Sequence, residues 1–319
     1  MNSSQLHIVV AERFSLEAME KLRAAGRVTV LDSCDEDCLR QAVADGDALL
    51  VRTFSQVTRD VIEHAPNLKV IGRGGVGLDN IDTVAATEHG VTMVYTPAAA
   101  TGAVAELTVG LMLSLLRDIP ANDAAIRRGE YLQARAKSLA RELSELTLGI
   151  IGMGRIGQAV GRRCQVGLGM SVIYHDIIDP PPLDFQATPV EKEVLYAQSD
   201  MVSLHVPLTE LTRWLIDKEA LSQFKPGAML INTSRGQVVD SLALANRLRN
   251  GRLGGAALDV LDQEPPADNH PLLTAPHIIL TPHIGAKTPM SQTRMNAVVD
   301  DVIRVLQGQP PVSADHIYR

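Results

Sequence analysis

Apolar and polar positions alternate along the first hundred residues in a repeating strand-then-helix rhythm. HIVVAE (7–12) has the continuous apolar character of a buried strand, and SLEAMEKLRAAG (15–26) the spacing of a helix opened by Ser15 and closed by Gly26. VTVLD (28–32), a helix near 38–45, ALLVR (48–52), a helix ending at Pro66, LKVIGRG (68–74) and VTMVYT (91–96) continue the series. Repeated β-α-β units predict a parallel sheet covered on both faces. The sheet of a first α/β domain is therefore complete within 1–99. Residues 101–119, TGAVAELTVGLMLSLLRDI, are apolar almost all round and predict a buried interdomain helix. Their charges, Glu106, Arg117 and Asp118, argue against a membrane span.

A second series follows: TLGIIG (147–152), VIYHD (172–176), MVSLHVP (201–207), AMLINTS (228–234), AALDV (256–260) and HIILTPH (277–283). Helices are expected at 155–166, 191–198, 217–224 and 241–250, with a Pro-rich surface loop at 179–189. RRGEYLQARAKSLARELSEL (127–146) reads as a long helical stretch, and 288–308 as one amphipathic helix opened by Thr288-Pro289. That last helix is expected to pack back on the first domain. The expected architecture is α/β. A Rossmann-type doubly wound parallel domain spans 100–288, and a smaller, discontinuous flavodoxin-like domain spans 1–99 and 289–319.

Composition narrows the function. Of 319 residues 45% are hydrophobic but only 3% aromatic, which suits cores of aliphatic parallel strands. A formal charge of −7 disfavours nucleic acid or an anionic membrane as partner. The N-terminus has no basic segment followed by a long apolar one, so a cytoplasmic location is expected. Three cysteines fit that compartment. Cys34 and Cys38 lack the further ligands of a metal site, and no metal is expected.

GMGRIG (152–157) matches G-x-G-x-x-G between an apolar strand and a helix. Gly152 permits the tight turn, Gly154 a close approach of backbone to pyrophosphate, and Gly157 packing of helix on strand. The amides of Arg155 and Ile156, at the helix start, favour phosphate charge. Asp176, at the end of the next strand, is placed to accept hydrogen bonds from a ribose diol and to repel a 2′-phosphate, so NAD is expected over NADP. Arg235, Glu264 and His283 each follow a predicted strand, where ligands gather in open α/β sheets. A carboxylate beside an imidazole stabilises its protonated form, and a guanidinium offers a planar fork to a carboxylate. Such a set could orient a 2-oxo acid and protonate its carbonyl as hydride arrives. His64, His89 and His270 show no comparable partners in the sequence.

GIIGMGRIGQAVGRR, SDMVSLHVPLT, LINTSRGQVVD, GAALDVLDQEPP and LTPHIGAKT, in that order, resemble the NAD-dependent D-2-hydroxyacid dehydrogenase family. VIGRGGVGLDNID (70–82) and VAELTVGLML (104–113) extend the likeness. The resemblance implies that Arg235 binds the substrate carboxylate and carbonyl, that His283 is the acid/base and that Glu264 is its partner. It implies that Val206, Thr233, Ser234, Asp259, Gly285 and Ala286 join Arg235 and His283 around the cofactor, Asp259 near the nicotinamide amide. Backbone amides at Gly75, Val76 and Gly77 would receive the substrate carboxylate. Closure about hinges near 97–101 and 286–290 would exclude water. VRTFSQVT (51–58) is most similar to 3-phosphoglycerate dehydrogenase-like members without a regulatory domain, where Arg52 would face a substrate phosphate. Ala100 and Val76 depart from that pattern, and a hydroxypyruvate or glyoxylate reductase is the alternative. A non-catalytic NAD-binding regulator is a third reading. Formate dehydrogenases carry Gln at the position of Glu264. The resemblance further implies a homodimer with contacts within 105–150.

Overall fold

A computed structural model describes residues 5–31, 35–137 and 140–318. Cys34 lies outside the described residues, as do Ser138 and Leu139 of the 127–146 stretch. The chain divides into two compact units, 1–100 with 287–319, and 101–286.

The first unit holds a five-stranded parallel sheet. Its strands are β1 (His7–Val10), β2 (Arg27–Val30), β3 (Ala48–Val51), β4 (Val70–Arg73) and β5 (Thr92–Tyr95), in the order β2-β1-β3-β4-β5. That is the flavodoxin-like order, with the switch between β1 and β3. β1, β3 and β4 are buried throughout, which accounts for their unbroken apolar runs. Side chains such as Val9, Leu49 and Ile71 are fully buried, each contributing about 1.5–3 kcal/mol relative to exposure. Helices α1 (Leu16–Ala25), α2 (Glu36–Val43), α3 (Arg59–Glu63) and α4 (Thr83–Glu88) connect the strands. Each opens on a side chain that accepts a hydrogen bond from the third residue on: Ser15, Asp35, Thr58 and Asp82. Such a cap is worth about 1 kcal/mol.

The second unit begins with α5 (Thr101–Leu116), α6 (Ile119–Arg127) and α7 (Tyr131–Lys137). α5 is shorter than the apolar run suggested and buries one face, through Val104, Ala105, Thr108, Leu111 and Met112, while Glu106 is exposed. Asp118, in the left-handed region at φ 49°, ends the run of α5 and caps the start of α6. The long helix expected over 127–146 is interrupted, because Gly129 at φ 81° ends the turn after α6. Among the described residues of this stretch beyond α7, a 3₁₀ turn at Leu143–Glu145 follows.

A seven-stranded sheet comes next: β6 (Thr147–Ile151), β7 (Ser171–His175), β8 (Thr188–Pro189), β9 (Met201–Leu204), β10 (Met229–Asn232), β11 (Gly255–Leu258) and β12 (Ile278–Leu280). Every pairing is parallel, in the order β12-β11-β10-β9-β6-β7-β8. This is the doubly wound Rossmann order, and the chain reverses direction across β6 and β9. β8 was read as loop. Pro189 has no N–H to donate, and only an edge strand tolerates it. Helices α8 (Arg155–Arg162), α9 (Lys192–Gln198), α10 (Lys218–Gln223) and α11 (Ser241–Arg249) complete this unit, α8 running on into a π turn at Arg163–Gly167.

The chain then returns to the first unit. The single helix expected over 288–308 is two, α12 (Pro289–Asn296) and α13 (Val298–Leu306), joined at Ala297. Asn296 stands at the break, the last residue of α12. Val298, Val299 and Val302 of α13 pack with Ile8, Val10 and Val70 in one cluster of buried residues. Among the described residues no helix is long and apolar enough to cross a membrane, and no group of three His, Cys, Asp or Glu could hold a metal ion.

Candidate functional site

In the second unit the residues singled out from sequence lie just beyond the C-terminal ends of six strands. Gly152 follows β6, Asp176 follows β7 and Val206 lies two residues past β9. Thr233 follows β10, Asp259 follows β11 and His283 lies three residues past β12. The backbone of Gly152 has φ 93°, and a Cβ there would stand 2.6 Å from the carbonyl oxygen of His205. A Cβ on Gly157 would collide with the carbonyl oxygen of Gly152, so both positions require glycine. Gly154 differs, since a Cβ there would meet nothing within 4 Å. It is the N-cap of α8 and offers no side-chain cap, and a helix start of that kind favours an anion. Asp176 is tied to this turn, accepting from the Met153 amide at 2.6 Å and from Ile178 at 3.0 Å. A carboxylate has about four acceptor positions, so capacity for a ribose diol is left. The glycine turn, the uncapped helix start and this carboxylate together fit a dinucleotide.

The turn after β10 is organised by Asn232, a residue without an obvious sequence signal. Its Oδ1 accepts from the Ser234 amide at 3.0 Å and hydroxyl at 2.8 Å, and its Nδ2 donates to the Arg235 carbonyl at 2.9 Å. Thr233 and Ser234 are buried, with the Thr233 hydroxyl 2.9 Å from that of Thr108. The Arg235 guanidinium donates to the Ser234 carbonyl at 2.8 Å.

Glu264 and His283 come together. His283 Nδ1 is 2.8 Å from Glu264 Oε2, and Glu264 Oε1 accepts from the Leu261 amide at 3.0 Å. Burial pushes the Glu264 carboxyl up, but the hydrogen bonds from His283 and Leu261 and the charges of His283 and Arg235 outweigh it and hold the group below its ordinary value. His283 has φ 52°, unusual for a residue with a side chain. Its amide donates to the Asp259 carbonyl at 2.8 Å. The Asp259 carboxylate accepts from Thr281 Oγ1 at 2.6 Å, the Ile284 amide at 2.9 Å and the Gly285 amide at 2.8 Å. Asp259 is therefore the clamp of the loop carrying His283, Gly285 and Ala286, and it is only 2% exposed.

In the first unit Arg52 follows β3 and Gly75–Gly77 follow β4. Glu12 organises the Arg52 loop, its carboxylate accepting from the amides of Arg52, Thr53, Phe54 and Ser55 and from the Ser55 hydroxyl. Nothing in the linear sequence marked Glu12 for that task. The Arg52 guanidinium donates to Gln292 Oε1 at 2.6 Å and lies 5.4 Å from the centre of the Phe14 ring. Burial lowers its pKa, against the attraction of Glu12. The Gly75 carbonyl is held by Thr96, while among the described residues the Val76 and Gly77 amides donate to no partner.

Two other histidines differ from their sequence reading. His270 was read as lacking partners, yet its Nε2 lies 2.8 Å from Asp262 Oδ1 and it is almost wholly buried. The pair joins residues eight apart across a loop, a spacing with no signature. His205, not singled out, is half-buried, and desolvation of its ring pushes its pKa down to about 3. Its ring accepts or donates at Ser203 Oγ, 2.8 Å away.

The profile of the D-isomer specific 2-hydroxyacid dehydrogenase NAD-binding domain matches residues 109–285. D-3-phosphoglycerate dehydrogenase of Methanocaldococcus jannaschii is 42% identical over 306 residues, covering 95% of this chain and 58% of that protein. Hydroxypyruvate reductase of Thermotoga maritima is 40% identical over 263 residues, covering 82% of this chain and 85% of that protein. The crystal structure of a glyoxylate reductase from Paecilomyes thermophila is 31% identical with a TM-score of 0.88, covering 98% of this chain and 99% of that one. The chain thus spans little more than half the length of the phosphoglycerate dehydrogenase it matches.

Proposed function

Because the chain belongs to the D-isomer specific 2-hydroxyacid dehydrogenase family and 109–285 is its NAD-binding domain, we propose that it is an NAD-dependent oxidoreductase interconverting a D-2-hydroxy acid and its 2-oxo acid. The observation that carries this reading is the 2.8 Å contact of His283 Nδ1 with Glu264 Oε2, beside the charge of Arg235. A bound nicotinamide supplies or accepts the hydride. Glu264 holds the His283 ring by Nδ1, which leaves Nε2 to give a proton to the carbonyl oxygen or take one from the hydroxyl. Arg235 orients the carboxylate and carbonyl through its planar fork. The glycines of 152–157 with Arg155 and Ile156 take the pyrophosphate, and Asp176 takes the ribose. Val206, Thr233, Ser234, Gly285 and Ala286 border the coenzyme, and Asp259 shapes that border from beneath.

Arg52 favours a phosphorylated acid, 3-phosphoglycerate and 3-phosphohydroxypyruvate, as the substrate pair. Hydroxypyruvate or glyoxylate is the second reading, favoured by the match to most of the length of the hydroxypyruvate reductase. We assign the enzyme to the cytoplasm, where the free thiols of Cys38 and Cys164 suit a reducing environment. A homodimer is supported by the α5–α7 arm, on which Ile119, Ile126, Tyr131 and Leu132 are all more than half exposed. NADH oxidation with 3-phosphohydroxypyruvate, hydroxypyruvate, glyoxylate, pyruvate and 2-oxoglutarate tests the proposal. Turnover of at least one supports it. Tight NADH binding without any turnover would replace it with the regulator.

A further inference from the structure

The turn bearing Glu264 is pinned at a residue that makes no contact with His283. Asp262 Oδ1 accepts from the Ser241 hydroxyl at 2.6 Å and lies 2.8 Å from His270 Nε2. The Asp262 carbonyl accepts from Gln237 Nε2 at 3.0 Å. Ser241 and His270 are buried, with Ser241 opening α11 and His270 the N-cap of the 3₁₀ turn Pro271–Thr274. The Leu272 amide points at His270 Nδ1, 3.4 Å away, which places the ring proton on Nε2, toward Asp262. Burial pushes the Asp262 carboxyl up, but the hydrogen bonds from Ser241 and His270 prevail and keep it below its ordinary value.

Two links connect this knot to the candidate chemical groups. The Leu261 amide, next to Asp262, holds Glu264 Oε1. Gly236, next to Arg235, packs backbone to backbone on Leu261 and Asp262, so closely that a Cβ at 236 would overlap the Leu261 carbonyl carbon and the Asp262 nitrogen. We infer that Asp262, held by Ser241 and His270, is a positioning residue that keeps Arg235 and Glu264 in register, and through Glu264 fixes the His283 ring. This rests on the proposed dehydrogenase chemistry for its meaning. Its geometry can be read without turnover.

The test compares Asp262→Ala, Asp262→Asn and Ser241→Ala with the unaltered protein by kcat, KM for NADH and the ring ¹⁵N shifts of His283, assigned with His283→Gln. In the unaltered protein the shifts should place the proton on Nδ1. Asp262→Ala should lower kcat about tenfold with little change in KM for NADH, as expected for misplacement of catalytic groups, and mix the His283 tautomers. Asn, which can accept from the same donors, should restore most of both. If Asp262→Ala does not fold, Ser241→Ala decides, with the same changes at about twofold in kcat. Unaltered kcat and ring shifts in a folded variant overturn the inference, even if the melting temperature falls. Altered ring shifts in a protein that turns over no 2-oxo acid uphold the positioning role and remove the proposed reaction instead.

Discussion

Glu264 divides its two oxygens between His283 and the turn that precedes it: Oε2 faces the imidazole Nδ1 at 2.8 Å and Oε1 takes the Leu261 amide at 3.0 Å. The second bond fixes the carboxylate plane, so the first can fix the ring. Only Nε2 of the imidazole then faces away from the carboxylate, and the proposed reaction gives it the proton exchange with substrate.

Replacing Glu264 with Gln should therefore harm catalysis more than folding. Gln offers a single acceptor oxygen to two donors, His283 Nδ1–H and the Leu261 amide, so one of the two contacts that hold the carboxylate plane and the ring is lost. We expect kcat to fall about 100-fold, within the range ascribed to positioned acid–base catalysis, while NADH affinity measured by fluorescence titration stays near that of the unaltered protein. A kcat within a few-fold of normal would remove Glu264 from its assigned role. The pH sign is also defined. The folded carboxyl is held below its ordinary value, so its stabilising effect is complete above the ordinary glutamate range and is lost as pH falls through the lowered value. Glu264→Gln should lack that acid-side loss.

Arg235 offers a second measurement. An ammonium cannot reproduce the planar two-pronged contact of a guanidinium, so Arg235→Lys should raise KM for the 2-oxo acid and lower kcat/KM by about 100-fold, roughly the worth of one charge-assisted bidentate contact. Steady-state kinetics with whichever acid is turned over best would show it. A normal kcat/KM would mean that the carboxylate is held by another group.

Much of this site is legible in the sequence because each group follows a strand, and strands buried on both faces announce themselves as apolar runs. GMGRIG starts right after β6 and Asp176 right after β7, while Arg235, Glu264 and His283 lie three to six residues past β10, β11 and β12. The supporting residues are less visible. Glu12, Asn232 and the Asp262–His270 pair act through backbone amides or partners many positions away, and no period or spacing reveals that. Helix boundaries failed for a related reason. Gly129 and Asp118 break apolar or helix-forming runs by backbone conformation, which overrides the periodicity of the side chains.

Coenzyme choice should turn on Asp176. Its carboxylate would meet a 2′-phosphate with like charge, and Asp176→Ser removes that repulsion while keeping a hydroxyl. The ratio of kcat/KM for NADPH to that for NADH should rise by about tenfold or more, as for about 1.4 kcal/mol of differential binding. Because Asp176 also holds the Met153 amide at 2.6 Å, NADH affinity should fall in the same variant. An unchanged coenzyme ratio would place discrimination elsewhere in the turn.

Stability of the second unit has its own acid-sensitive point at Asp200. Its Oδ1 meets Lys225 Nζ at 2.6 Å and Arg141 Nη1 at 3.0 Å, and its Oδ2 accepts from the Thr147 amide at the start of β6. Burial pushes this carboxyl up, but Lys225, Thr147 and Arg141 together pull it below its ordinary value. A carboxylate with a depressed folded pKa stabilises fully above the unfolded value and ceases to do so as pH falls through the folded one. Asp200→Asn should thus cost about 2 kcal/mol near neutral pH, the scale of hydrogen bonds to a charged group. The cost should shrink as acid protonates the native carboxyl. Urea unfolding of both proteins at pH 7 and at progressively lower pH measures the difference, and a gap that stays constant through the carboxylate range would show that the Asp200 charge contributes nothing.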